Sequence, residues 1–363
     1  MAFGKTKTRL SPIGIDFGAD SIKLLQIAAG DRPELVAMGA TTVPEEARSD
    51  LYARQDFLEE ALPSLLRRHG FKNRRVMLST PAFQTMVHNL LIGRGEPKEI
   101  DGMVDLALHE RLGVEPSRMV IRNYPGAEVY REGMPKQEVI TFAAGRDILM
   151  RYVDLANSLK LEVVGMHCEA DCVLKAFSYR NAAGAAVDRH RPVVFLDIGA
   201  ATSKIVVARG DKMLLAKTVH AGGDQWTRRM ASEQSMGFAE ARLARVAEAD
   251  GGGTATAVVA AGHGGSDCET TECLIDELRM TLRHYNSRYP DQPLEKIIFV
   301  GGEANRVSTC QRLAQSVNLP AQMGDPFARL ARGSGSPPMG VDLSQPQPGW
   351  TVALGLCLNE ANL

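Results

Sequence analysis

The sequence carries one short pattern twice, 181 residues apart: an apolar strand, an Asp-x-Gly turn, a few small or polar residues, then a second strand. The first copy is Ile13-Gly14-Ile15-Asp16-Phe17-Gly18-Ala19-Asp20-Ser21-Ile22-Lys23. The second is Val193-Val194-Phe195-Leu196-Asp197-Ile198-Gly199-Ala200-Ala201-Thr202-Ser203-Lys204. A strand ending in a carboxylate can hold a hydrated Mg²⁺, and the glycine that follows lets backbone N–H groups approach phosphate closely. Asp16 and Asp197 are thus the candidate magnesium residues, each acting through water. Gly18, Ala19, Asp20 and Gly199 would shape the turns, and Ser21, Lys23 and Thr202 would add side-chain donors. A single copy would carry little weight, because Asp-x-Gly is a common strand-end turn. Two copies predict two related domains facing each other across a nucleotide, ATP or ADP.

Two further glycine turns extend the pattern. Lys296-Ile297-Ile298-Phe299-Val300-Gly301-Gly302-Glu303 reads as a buried strand that ends in a double glycine, followed by an amphipathic helix from Arg306 to Val317. Such a turn lets backbone lie flat against a base or α-phosphate, near a helix N-terminus that favours anions; Gly301, Gly302 and Glu303 are its candidate contacts. Met213 to His220 reads as a strand running into Ala221-Gly222-Gly223-Asp224, a tight turn before a helix over 225–233. Gly222, Gly223 and Asp224 can approach phosphates or sugar. On the long amphipathic helix from Thr271 to Tyr289, Glu277 is a candidate ribose contact, set against the simpler reading of a solvated face.

At 363 residues the chain exceeds one comfortable core, so two domains are expected. With 44% apolar and 23% charged residues it can build cores and is too apolar for disorder. A net charge of −1 argues against a nucleic-acid groove or a broadly basic membrane face. No apolar run approaches the roughly 20 residues of a membrane helix, and no hydrophobic signal region precedes the first strand, so a cytoplasmic location is expected. The six cysteines read as structural free thiols of a reducing compartment. Cys168 and Cys172 flank a helical turn next to His167, but no second cluster completes a metal site. Gly4-Lys5-Thr6 lacks the strand and glycine loop of a Walker motif.

Along the chain, Leu35–Val43 alternates as a third strand, 56–69 is helical despite Pro63, and Arg75–Ser79 is a short strand. An inserted α/β unit follows over 83–150: a strand near 85–92, a helix over 99–112, strands at 119–122 and 138–144, and a turn-rich stretch between them at 130–136. A helix (146–159) and a strand (161–166) then lead into Glu169, which opens the next helix. Resemblance to the superfold of actin, Hsp70 and the sugar kinases, where an acidic residue opening this helix polarises the attacking water, implies Glu169 as the candidate general base, with Asp197 also in the catalytic set. The alternative is a carboxylate favoured by the helix dipole. Residues 232–246 read as one polar helix, 250–266 and 331–348 as glycine- and proline-rich linkers, and 350–358 as a last helix whose small residues permit close helix crossing. The domains expected are 10–191, interrupted by the insert at 83–150; 192–349, with an outer part at about 225–290; and a terminal segment, 350–363, packing back at the hinge.

Two phosphate hairpins followed by a Gly-Gly adenosine turn resemble the superfold of actin, Hsp70 and the sugar kinases, an α/β fold of two duplicated ribonuclease-H-like domains. With the insert, the chain is similar to the PilM family of cytoplasmic actin-like proteins of type IV pilus assembly. The resemblance is carried by Gly14-Ile15-Asp16-Phe17-Gly18, Asp197-Ile198-Gly199-Ala200-Ala201-Thr202, Ala221-Gly222-Gly223, Val300-Gly301-Gly302, Asp325-Pro326-Phe327 and Ala353-Leu354-Gly355-Leu356, and spans residues 10 to 358. It implies an actin-like ATPase fold, binding of ATP or ADP with Mg²⁺, and at most slow hydrolysis. It also implies attachment to the inner-membrane pilus platform through the N-terminal cytoplasmic peptide of a PilN-like membrane protein, received in a groove against the first domain. Other platform proteins would be partners; nucleic acid binding and direct membrane insertion are not implied. Glu303-Ala304-Asn305-Arg306 departs from the family by lacking its usual proline-glycine. An FtsA-like division protein is an alternative, disfavoured because 359–363 has too little apolar face to hold a membrane. A small-molecule kinase is another, disfavoured because no separate sugar site is visible.

Overall fold

The computed structural model describes residues 9–30, 33–113, 115–178, 191–251, 268–331 and 341–363. Most of the 250–266 linker, residues 332–340 of the second linker, His263 and the basic start fall outside them. The chain divides into two compact units, one of residues 1–81, 151–187 and 325–363, the other of 82–150 and 188–324.

In chain order the elements are β1 (Arg9–Leu10), β2 (Ile13–Phe17), β3 (Ser21–Ala29), β4 (Glu34–Thr42), α1 (Glu46–Ser49), α2 (Leu51–Arg68) and β5 (Arg75–Thr80). The insert supplies β6 (Met86–Gly93), α3 (Pro97–Leu112), β7 (Met119–Arg131) and β8 (Met134–Gly145). Then come α4 (Arg146–Ser158), β9 (Glu162–Cys168) and α5 (Glu169–Ser178). The second repeat is β10 (Val193–Ile198), β11 (Ser203–Arg209), β12 (Lys212–Val219), α6 (Gly223–Gln234), α7 (Phe238–Gly251), α8 (Cys268–Arg288), β13 (Ile297–Val300), α9 (Val307–Ser316) and β14 (Ala321–Met323), and the last helix is α10 (Thr351–Leu358).

Each unit holds one copy of the same sheet. In the first, β2 pairs antiparallel with β3 and β3 with β4, while β5 and β9 add in parallel on the other side of β2. In the second, β10 pairs antiparallel with β11 and β11 with β12, while β13 and β14 add in parallel. Strand order and sense thus match strand for strand, with β1 an addition to the first sheet at β3. The central strands β2 and β10 are buried at every residue, so both faces of each are covered; Ile13, Ile15 and Phe17 line one face of β2, and Val194, Leu196 and Ile198 one face of β10.

The insert folds on its own small core, where Ile100, Val104 and Leu108 of α3 pack on Leu90, Ile92 and Val139 of the sheet β6-β8-β7. It belongs to the second unit. Asn89 Nδ2 donates to the Ala216 carbonyl at 2.8 Å, and the buried Glu138 accepts from Arg288 and from the Tyr289 hydroxyl at 2.6 Å. The chain from Asp325 onward belongs to the first unit and not to the second domain as its position in sequence suggests. Phe327, Trp350, Ala353 and Leu354 share a core with Leu25, Ile27 and Met38.

Several elements differ from their sequence reading. The strands at 119–122 and 138–144 are parts of one long hairpin, β7–β8, whose whole turn is Glu132-Gly133, with φ of 53° and 75° between the paired Arg131 and Met134. Two consecutive positive φ values suit the strand twist of a two-residue hairpin. Pro125 and Gly126, which look like breakers, are absorbed by a register shift between Pro125 and Glu128. The polar helix over 232–246 is interrupted: α6 ends at Gln234, and Ser235, at φ 52°, turns the chain left-handed before α7. Helix α2 starts earlier than its periodicity suggests, at Leu51, because the Asp50 side chain caps the Ala53 N–H at 2.7 Å.

Candidate functional site

The two Asp-Gly turns have the same local geometry. A Cβ on Gly18 would lie 2.8 Å from the Ser21 carbonyl oxygen, and one on Gly199 would lie 2.8 Å from that of Thr202. Only glycine lets each chain fold back so tightly. In both hairpins the aspartate faces a lysine across the ladder, Asp16 opposite Lys23 and Asp197 opposite Lys204.

In the first unit Asp16 is buried, and Ser79 on β5 links it to the sheet, with its hydroxyl 3.3 Å from Asp16 Oδ1 and accepting the Phe17 N–H at 2.9 Å. The turn is braced from behind by two arginines that pattern reading passed over. Arg54, buried inside α2, donates to the carbonyls of Phe17 and Gly18 at 3.1 and 2.9 Å. Arg48 binds Asp20 Oδ1 at 2.5 Å and donates to the Val43 carbonyl at 3.1 Å. Asp20 is therefore a tied-down carboxylate. Glu169 opens α5 and is buried. Burial pushes the Cys172 thiol well up, and the charges of Asp171, Asp16 and Glu169 add to the effect. Small residues let α10 pack close to β2 and α5: a Cβ on Gly14 would lie 2.7 Å from the Ala353 oxygen, and one on Gly355 would lie 2.0 Å from the Cys172 oxygen. His167 and Cys168 gather no metal-ligand set. His167 instead lies between Asp171 Oδ2 at 3.1 Å and the Glu360 carbonyl at 2.9 Å.

In the second unit three turns converge. The N–H groups of Gly223 and Asp224 donate to the carbonyls of Gly199 and Ala200 at 3.0 and 2.9 Å, and the Glu303 N–H donates to the Ile198 carbonyl at 3.0 Å. Gly222 passes so close that a Cβ would lie 2.4 Å from the Gly199 oxygen. Gly301, at φ +92°, sits against the Asp197 carboxylate, where a Cβ would meet Oδ1 at 2.3 Å. Gly302 has open space beside it. At the hairpin tip, the N–H groups of Ala200 and Ala201 donate to no partner among the described residues.

Glu303 is engaged from the side. Arg245 of α7 grips it with both terminal nitrogens, Nη2 at 2.7 Å from Oε1, while Nε reaches the Thr227 hydroxyl at 3.0 Å. That hydroxyl donates in turn to the Gly223 carbonyl at 2.8 Å. Asp197 and Lys204 form a buried ion pair, Nζ to Oδ2, at 3.0 Å. Glu277 lies apart in its bonding: its partner is Lys217 of β12. The unit thus gathers Asp197, Gly199, Thr202, Gly222, Gly223, Asp224, Gly301, Gly302 and Glu303, and the residues missed by pattern are Lys204, Thr227 and Arg245. Lys204 had a signal, since it follows Asp197 by the same seven residues as Lys23 follows Asp16. Arg245 had none, because its partner is 58 positions away.

The family model described as type IV pilus assembly protein PilM matches residues 14–361. The chain belongs to the PilM family. Its fold is the actin-like ATPase fold. The solved PilM-PilN type IV pilus biogenesis complex superposes with a TM-score of 0.74 at 19% identity, covering 96% of this chain and 98% of that one. The ethanolamine utilization protein EutJ from Carboxydothermus hydrogenoformans superposes with a TM-score of 0.52 at 14% identity, covering 96% of this chain and 89% of that one. No curated protein matches the chain in sequence. As a PilM-family protein the chain is an actin-like protein of type IV pilus assembly. Among the described residues, no helix is long and apolar enough to cross a membrane.

Proposed function

We propose that this chain is a nucleotide-binding adaptor of the inner-membrane pilus platform, recruited by the cytoplasmic peptide of a PilN-like membrane protein. The observation that carries the nucleotide part is the convergence of three backbone turns within one unit, at the hairpin that follows Asp197. Glycines stand wherever a side chain would collide, and the Ala200 and Ala201 N–H groups are left for an anion. Backbone N–H donors of this kind bind phosphate without any base or sugar specificity.

Magnesium fits the donor set in a limited way. Among the described residues no group of three or more His, Cys, Asp or Glu side chains could hold a metal ion. Mg²⁺ keeps most of its waters and needs only one or two carboxylates when it arrives with phosphates, and Asp197 in one unit, like Asp16 in the other, is a carboxylate of that kind. When bound it would neutralise phosphate charge; the hairpins orient the phosphate chain, and Arg48, Arg54 and Arg245 hold the turns in place. The partner part rests on the PilM-PilN complex, whose fold this chain shares along nearly its whole length.

Calorimetry with the purified full chain tests the nucleotide reading. Mg-ATP or ADP should bind with micromolar to millimolar affinity, and Asp16→Asn with Asp197→Asn should abolish most of it. Full-strength binding by the folded double variant would place the nucleotide elsewhere.

A further inference from the structure

We propose that a cleft on the second unit, between the outer side of α8 and the connections that run into β13 and β14, docks a short acidic segment of a partner protein. The segment presents a large apolar side chain beside Asp or Glu. The proposal stands independently of the nucleotide and PilN-like readings.

One helix face and two strand entries build the cleft. Arg279, Leu282, Arg283 and Asn286 follow one another at i, i+3, i+4 and i+7, so they share one side of α8. Leu294 stands just before β13 and Leu319 just before β14, and these strands are parallel neighbours, which brings the two connections side by side. Between helix and connections lies a cleft of about 350 Å³. Its floor is apolar. Leu282 belongs to the core of the second unit, and Leu294, Val317 and Leu319 pack against that core while staying only half-buried. Concave apolar sites of this size take ligand groups out of water.

Charge decides what fills it. Arg279 and Arg283 border the cleft and are exposed, and among the described residues no acidic side chain lines it. Arg279 is steadied by its Nε, which donates to the Ser316 carbonyl at the end of α9 at 3.1 Å. Arg283 has no hydrogen bond or ion pair among the described residues. Elsewhere on α8, Glu272 pairs with Arg312, Glu277 with Lys217 and Arg288 with Glu138. A guanidinium matches a carboxylate with two parallel hydrogen bonds, and arginine beside apolar surface is a common anchor of protein interfaces. The two arginines are one helical turn apart, about 6 Å along the axis, so two carboxylates one turn apart on a partner segment meet both. The concave floor admits a projecting side chain and keeps out a flat bilayer.

The test uses a phage-displayed library of random dodecapeptides panned on the full chain. An excess of the soluble double variant Arg279→Glu with Arg283→Glu is present, to absorb phage that bind elsewhere. Enriched peptides should carry Asp or Glu beside Leu, Ile, Phe or Trp. Synthesised and labelled, they are measured by fluorescence anisotropy on the parent, the double variant, Leu319→Ser and Val317→Thr, each shown to be folded by thermal melting. Affinity should fall roughly tenfold or more in the double variant, at least the size of a lost charge-assisted hydrogen bond. It should fall in the two floor variants as well, and Lys in place of the peptide's acidic residues should restore binding to the double variant. No enrichment, enrichment of peptides without acidic residues, or parental affinity in both floor variants would overturn the proposal. So would sedimentation of the parent, and not of the double variant, with phosphatidylglycerol vesicles, which would assign these arginines to a membrane surface.

Discussion

Arg245 holds Glu303 through both ends of its guanidinium, and the held carboxylate occupies the space beside the Cα of Gly223, where a Cβ would come within 2.0 Å of Oε1. One ion pair thereby ties α7 to two of the three glycine turns of the second unit. Glu303 read in sequence as a nucleotide contact; its two oxygens already serve Arg245, so we propose for it a positioning role.

Removing one partner leaves the other buried and charged. Arg245→Met should cost about 3–5 kcal/mol of stability. The double variant Arg245→Met with Glu303→Met, which removes both charges, should recover most of it. Chemical denaturation measures both, and a single variant as stable as the parent would show the pair to be idle.

The two glycines of the adenosine turn should respond differently. Gly301 is at φ +92° and a Cβ there meets Asp197 Oδ1 at 2.3 Å and the Ile198 oxygen at 2.4 Å, whereas Gly302 has nothing within 4 Å. Gly301→Ala should cost at least about 1–3 kcal/mol, and Gly302→Ala about 0.5 kcal/mol or less. Equal effects would contradict the geometry of the turn.

Glu169 is buried at the start of α5. If it acts as a general base, Glu169→Gln should slow phosphate release by ~10²–10⁴ while leaving ATP affinity unchanged. An unchanged turnover would leave it the role of a carboxylate placed by the helix dipole.

Alkaline pH should destabilise the fold. Burial pushes the thiols of Cys310 and Cys357 from 9.0 up to about 12, and the Tyr285 hydroxyl from 10.0 to about 12. Between pH 9 and 12 the unfolded chain gives up these protons and the folded chain keeps them. The folded state then binds more protons, and stability must fall as pH rises through that window. Denaturation midpoints measured at pH 8, 9, 10 and 11 should drop progressively, and Cys310→Ala should flatten the slope. A level profile would contradict the burial of these groups.

Much of this architecture was legible in the sequence because it depends on local chemistry. Asp-x-Gly turns, the Gly-Gly strand end and the helix periodicities are set by residues close together in the chain, and the duplicated sheet follows from them. Long-range packing was not legible. Nothing near Phe327 or Trp350 says that their core lies with Leu25 and Ile27, and nothing near Asn89 says that it will bind the Ala216 carbonyl. The strand read at 119–122 runs on to Arg131, past Pro125 and Gly126, because the register shift that absorbs them depends on the partner strand. The supporting arginines, Arg48, Arg54 and Arg245, sat on helices where a charged residue ordinarily faces water.

The adaptor role is tested most directly by membrane fractionation of cells with and without the PilN-like partner. With the partner present, the protein should sediment with the inner membrane; with it deleted, the protein should move to the soluble fraction. A protein that stays on the membrane without the partner would contradict the account and require direct lipid binding instead.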